Sequence, residues 1–455
     1  LELGIWNLFF CCPTKQIMKR NFLKFPTNFY WGTATASHQV EGGNHNDWTI
    51  WEHKNAKRLA EESEGKYSWI PAWDDVKDMA KDRRNYISDI ATDHYHRYEE
   101  DFDIMRSLGL NAYRFSIEWS RIEPKEGEFD KKEIAHYRRF IQSLRKRGIE
   151  PFVTLWHWPI PVWLREKGGW ENKDVCKYFA RYAEKMANTL GKDVKFWITL
   201  NEPTVYTNLS YLAGMWVPQK KSLFASRRVL KNLSEAHNQA YKLMKHISPE
   251  FQIGISHNCV YFDVKNDNFF NKIGKKVSEQ RLNHSFIKKV QNAQDFIGLN
   301  YYFRNKINLF GFLKGFSKFI SNPEKYAYDE REDNTAVSDI GWELYPKGLY
   351  HILTDLNDIY NKPIYITEHG VADGKDQYRS TYLKESLKEI HKAIEEGVDI
   401  RGYMHWTFMD NFEWDKGRWP RFGLVEIDYE NDLKRKLRPS ALEYAKIIKE
   451  NGLYR

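Results

Sequence analysis

Eight short apolar runs, set between longer charged stretches, limit the possible fold of this chain more than any other feature. They are FYWGTA (29–34), AYRFSI (112–117), PFVTL (151–155), KFWITL (195–200), IGISH (253–257), DFIGL (295–299), PIYIT (363–367) and GYMHWTF (402–408). Each is nearly continuous in apolar and β-branched or aromatic residues, as a strand covered on both faces should be. Between them lie amphipathic segments, among them 98–109, 131–148, 175–191, 234–247, 348–360 and 382–397. Several close on Gly or Asn just before the next run, where a helix should end and a strand begin. Strict βαβα alternation allows an open doubly wound sheet or a closed barrel, and a count of eight selects the barrel. The expected fold class is therefore α/β, a single-domain (β/α)8 TIM barrel with long loops after the strands.

Those loops, 41–93, 258–278, 301–340 and 409–436, all follow strands, the end of such a barrel at which active sites are built. They absorb the length without a second domain. Residues 1–17 are expected to be a non-native or disordered extension lacking a basic n-region and a cleavage site, with the native start at Met18 and the catalytic domain spanning 18–455. The net charge of +8 is spread along the chain and does not point to nucleic acid. No run approaches the roughly 20 apolar residues of a membrane span. Cys11, Cys12, Cys176 and Cys259 form no C-x-x-C pair and fit a reducing compartment, so a cytoplasmic place is expected. His94 and His96 lack a third ligand at short spacing, so no metal and no cofactor are expected. The basic, aromatic stretch 306–322 reads either as a loop packed on the barrel rim or as a binding segment.

Two of the runs end on a glutamate: FWITLNEP places Glu202 just past the fourth strand, and PIYITEHG places Glu368 at the end of the seventh. Taken singly, either reads equally well as a solvated strand-end residue. Taken together, they put two carboxylates across one barrel mouth, the arrangement that cleavage of a glycosidic bond requires.

TLNEP and ITEHG, with FYWGTATASHQVEGG (29–43), DHYHRYEED (93–101), YRFSIEWSRIEP (113–124), LWHWPIPVWL (155–164), GLNYY (298–302), GWELYPKGL (341–349) and DNFEWDKGRWPRFGLVEIDY (410–429), resemble the motifs of glycoside hydrolase family 1. The likeness runs from about residue 25 to the C-terminus. It implies a retaining, exo-acting β-glycosidase on β-glycosides or oligosaccharides, with Glu368 as nucleophile and Glu202 as acid/base. It further implies that Arg114 and Tyr302 support Glu368, that Asn201 addresses the sugar 2-hydroxyl, and that Gln39, His157, Trp158, Asn300, Trp342, Trp406, Glu413, Trp414 and Phe422 bind substrate. The likeness puts β-glucosidase first, with β-galactosidase or β-fucosidase activity beside it, and Glu413 can bind either the glucose or the galactose epimer. Retention of Glu413 opposes the 6-phospho-β-glycosidase branch, because a carboxylate repels phosphate. Retention of both glutamates opposes a noncatalytic carbohydrate-binding relative. One departure is His369, where the family usually has Asn; histidine titrates near neutrality, which puts the pH profile in question.

Overall fold

The computed structural model describes residues 22–308, 322–331 and 335–455. Residues 1–17 and most of the stretch 306–322 lie outside them. The eight runs form the strands β1 (Tyr30–Ala34), β2 (Ala112–Ser116), β3 (Glu150–Trp156), β4 (Phe196–Asn201), β5 (Gln252–Asn258), β6 (Phe296–Asn300), β7 (Ile364–His369) and β8 (Ile400–Trp406). They pair in parallel, each with its neighbours in chain order, and β8 closes on β1. The outer helices follow in turn: α1 (His94–Ser107), α2 (Lys131–Lys146), α3 (Val175–Leu190), α4 (Leu223–Ile247), α5 (Ser285–Val290), α6 (Pro346–Tyr360), α7 (Arg379–Glu395) and α8 (Pro439–Glu450). Neither α5 nor α8 was among the amphipathic segments singled out above. α4 starts eleven residues earlier than its apolar pattern, held by Ser222, whose side chain accepts from the Ala225 N–H.

Alternation along the strands separates two apolar regions. Val153, Trp197, Ile253, Ile297, Ile364 and Ile366 face the helices in one cluster. Phe152, Phe196, Phe296, Tyr365 and Met404 fill the barrel in another. At the floor of the barrel Phe152 and Phe196 stack at 4.2 Å, with Tyr365 against both. Above this aromatic floor the inward positions turn polar, and the site begins there.

The long loops after strands are not bare loops. The one after β1 carries a helix, Asp47–Tyr67, whose first turn is held by a reciprocal Asn46–Thr49 capping box. The one after β5 carries a short strand, Tyr261–Val264, and a helix, Phe269–Ser278. That strand pairs with Arg304–Ile307 after β6, forming a small sheet beside the barrel mouth.

Candidate active site

Glu368 faces the barrel mouth because β7 breaks its own alternation. Ile366 points outward into the helix layer and Thr367 inward, where its hydroxyl donates to Asn300 Oδ1 at 2.8 Å. Regular pleating would turn Glu368 out. The strand register instead shifts between Ile366 and Glu368, a bulge that re-aims the carboxylate inward and returns His369 to the outside. A close approach follows: a Cβ on Gly370 would sit 1.8 Å from the Trp406 carbonyl oxygen, so only glycine fits there. β4 shows a matching shift between Ile198 and Asn201. Its last step is sharper, since Glu202 takes the left-handed conformation (φ 44°, ψ 55°) before Pro203 starts a helix. Trp158 (φ 87°) and Trp414 (φ 49°) are held in positive φ as well, and all three line one cavity. Such conformations cost non-glycine residues about 1–3 kcal/mol each and persist only where the surroundings fix them.

The two carboxylates occupy unlike surroundings. Glu368 accepts from Arg114 Nη1 at 2.5 Å and from the Tyr302 hydroxyl at 2.6 Å. Arg114 is fully buried; it also donates to Asn201 Oδ1 at 2.6 Å and to the Thr154 hydroxyl at 3.1 Å, which fixes its fork. Among the described residues Glu202 has no salt-bridge partner. It accepts from Asn300 Nδ2 at 2.8 Å and Asn258 Nδ2 at 3.2 Å, both on Oε1. Burial, reinforced by the negative charge of Glu368, pushes its carboxyl up to about 8 against the weaker opposing pull of the two amides. One carboxylate thus carries a cation and a phenol, while burial lets the other keep its proton near neutral pH.

A 210 Å³ cavity lies above the pair and is small for a ligand site. Ten of the residues named from sequence line it: His157, Trp158, Glu202, Tyr302, Trp342, Glu368, Trp406, Glu413, Trp414 and Phe422. Gln39, Arg114, Asn201 and Asn300 stand directly behind. Gln39 donates to Glu413 Oε2 at 3.2 Å, while its own Oε1 is buried without a partner. His157 Nδ1 is likewise unpartnered, and its Nε2 lies 3.0 Å from Asn201 Nδ2. Burial holds the His157 imidazole neutral. Buried polar atoms without partners, at the edge of a cavity, are what hydroxyl groups of a ligand would satisfy. Burial raises Glu413 to about 7, against hydrogen bonding from Asn411.

Two residues of the site were not read from the sequence, and the expectation for a third is corrected. Asn258 is the last residue of β5, and no local signal marks it as a partner of Glu202. Lys416 reaches the cavity, where its ammonium meets Glu324 at 2.8 Å and Asp415 at 3.9 Å. His369, in turn, does not titrate near neutrality. It faces away from the cavity, stacks on Tyr382 at 4.7 Å and contacts the Tyr403 hydroxyl at 2.9 Å, and burial takes it down to about 3. Among the described residues no group of three or more His, Cys, Asp or Glu could hold a metal ion.

An eight-stranded barrel whose mouth holds two unlike carboxylates, amides and indole faces defines a glycosidase. Comparison with known proteins narrows the class. The glycosyl hydrolase family 1 model matches residues 22–265 and 264–453, and the chain belongs to that family. It is 35% identical to beta-glucosidase A of Thermotoga maritima, over 95% of this chain and 99% of that one. It is 30% identical to a beta-galactosidase of Pyrococcus woesei, over 94% and 98%. Among solved structures it superposes on the Thermotoga maritima beta-glucosidase bound to glucoimidazole with a TM-score of 0.81 at 31% identity, covering 95% and 100% of the two chains. A beta-glycosidase from Pyrococcus horikoshii gives 0.80 at 34% identity, covering 95% and 97%.

Proposed function

We propose that this protein removes terminal β-linked neutral sugars, glucose foremost, by double displacement. Glu368 attacks the anomeric carbon while Glu202 gives its proton to the leaving oxygen, and Glu202 then takes a proton from the water that releases the sugar. The observation that carries this reading is the asymmetry of the pair: a cation and a phenol on Glu368, and burial on Glu202 without a salt-bridge partner among the described residues. Arg114 and Tyr302 hold the nucleophile in place, and Asn201 and Asn300 position hydroxyl and acid together. Gln39, His157, Glu413 and Trp414 hold the sugar's far edge, with Trp406 beneath the ring. Trp158, Trp342 and Phe422 complete the wall. A cavity of this size takes one monosaccharide, which supports exo action. The Lys416 ammonium does not make it a phosphate site, since Glu324 and Asp415 already neutralise it. Cys176 and Cys259 are unpaired, which supports a reducing, cytoplasmic setting. No helix among the described residues is long and apolar enough to cross a membrane. We assign residues 18–455 to the one catalytic domain.

Initial rates on p-nitrophenyl β-glucoside, β-galactoside, β-fucoside, α-glucoside and 6-phospho-β-glucoside test the reading. Turnover of the neutral β-glycosides, lost in Glu368→Gln, is expected. Turnover of the phosphorylated substrate alone would refute it.

A further inference from the structure

One carboxylate beside the sugar pocket joins loops that leave three different strands. Asp415, on the single turn Trp414–Lys416 after β8, accepts from the Trp216 indole Nε1 at 2.9 Å on Oδ1 and from Lys66 Nζ at 2.8 Å on Oδ2. Lys66 lies in the last turn of the helix after β1, and Trp216 sits on a bend in the irregular stretch between β4 and α4. The neighbouring Lys416 brings in a fourth loop through Glu324, on the helix Pro323–Asp329 after β6. Asp415 is 4% exposed. Burial would raise its carboxyl, but Lys66 and Lys416 take it well below the ordinary carboxylate range, so it stays charged where it meets the indole.

Trp216 belongs to a cluster of indoles. Its ring centre lies 4.6 Å from that of Trp158, 5.5 Å from Trp48 and 6.2 Å from Trp414. Trp158 and Trp414 are 4.5 Å apart, and with Trp216 they line the sugar cavity. These two are the tryptophans at positive φ, a conformation that persists only while neighbours fix it. Trp158 has a bond of its own, from Nε1 to the Asn201 carbonyl at 3.1 Å, whereas Trp48 Nε1 is buried without a partner. The ring on irregular backbone is thus the one tied to a charge, and charge-assisted hydrogen bonds are the strong ones.

We propose that Asp415 is a positioning residue for the reaction: it fixes Trp216 and, through it, the faces that Trp158 and Trp414 present to the sugar. This rests on the glycosidase reading above. Both Asp415 oxygens already accept from protein donors, so it acts through the indoles rather than on the sugar.

The test takes two measurements on each variant: the Kd of glucose by titration calorimetry, which does not depend on turnover, and kcat and KM on p-nitrophenyl β-glucoside. Asp415→Ala is expected to weaken glucose binding about tenfold and to raise KM by a similar factor, with a smaller change in kcat. Lys66→Met removes the ion pair but leaves the indole its acceptor, and is expected to lower the melting temperature while glucose binds within about twofold of wild type. A residue that only stabilised the fold would cut the folded fraction, and hence kcat, and leave KM and the glucose Kd in place. That result in Asp415→Ala would overturn the proposal. Equal weakening in Lys66→Met and Asp415→Ala would overturn it too, because the ion pair and not the indole bond would then set the wall. Where Asp415→Ala strands the Lys66 ammonium and does not fold, Lys66→Met combined with Asp415→Ala is compared with Lys66→Met alone, and the same tenfold loss is expected. Glucose bound by the wild type without turnover of the p-nitrophenyl substrate would strike the glycosidase reading instead and leave the Asp415 comparison standing.

Discussion

Removing Asn258 should extend activity to higher pH. Its side-chain amide donates to Glu202 Oε1 at 3.2 Å, beside the 2.8 Å bond from Asn300 to the same oxygen. Both bonds favour the ionised carboxylate, and a carboxyl serves as an acid only while protonated. A hydrogen bond to a charged acceptor contributes about 1.5–3 kcal/mol. At 3.2 Å, with a second donor on the same oxygen, the low end applies, and about 1.4 kcal/mol corresponds to one pKa unit. Asn258→Ala should therefore move the Glu202 carboxyl from about 8 up by roughly one unit. The assay is kcat/KM against pH on an alkyl β-glucoside, whose poor leaving group needs the proton. The alkaline limb should shift upward by about one unit, with the acid limb in place. An alkaline limb that stays put or moves down would mean that Asn258 does not act on the acid, or that another group sets that limb.

Tyr302→Phe deletes the 2.6 Å bond to Glu368 and should lower kcat/KM by about 10–100-fold without unfolding the protein, as read by steady-state kinetics with a melting curve. His369→Asn should leave the pH profile unchanged through the neutral range, because burial already holds this imidazole at about 3; lost packing on Tyr382 should instead cost about 1–2 kcal/mol in a denaturant melt. Glu202→Gln should stabilise the fold, and mainly at alkaline pH. The folded carboxyl sits at about 8, above its ordinary value of 4.5, so the folded state holds a proton that the unfolded chain releases, and wild-type stability falls as pH rises through that window. Melting temperatures of both proteins at about pH 5 and about pH 8.5 check the sign, and an equal gain at both would count against it.

The barrel was legible because its signal is local. Eight buried strands write eight apolar runs, and the helices between them carry a 3.6-residue period. Glu202 and Glu368 could be picked out at two strand ends, but not the devices that aim them. The bulge between Ile366 and Glu368 and the left-handed turn at Glu202 are settled by what the neighbouring strands impose, and neither follows from local residue preference. The same holds for His369. Its type suggested a group titrating near the chemistry, whereas the bulge sends it to the helix side, where desolvation decides its charge. Asn258 and Lys416 reach the site through tertiary packing alone. The short helix α5 was missed because six residues hold less than two turns of any period.

Double displacement requires that Glu368 form a covalent bond to the sugar. Incubation with a 2-deoxy-2-fluoro-β-glucoside bearing a good leaving group, which slows release of the intermediate more than its formation, followed by peptide mass mapping, tests it directly. One sugar per chain is expected, attached to the peptide that carries Glu368. A label on Glu202 or Glu413, or turnover that inverts the anomeric centre with no label at all, would contradict it.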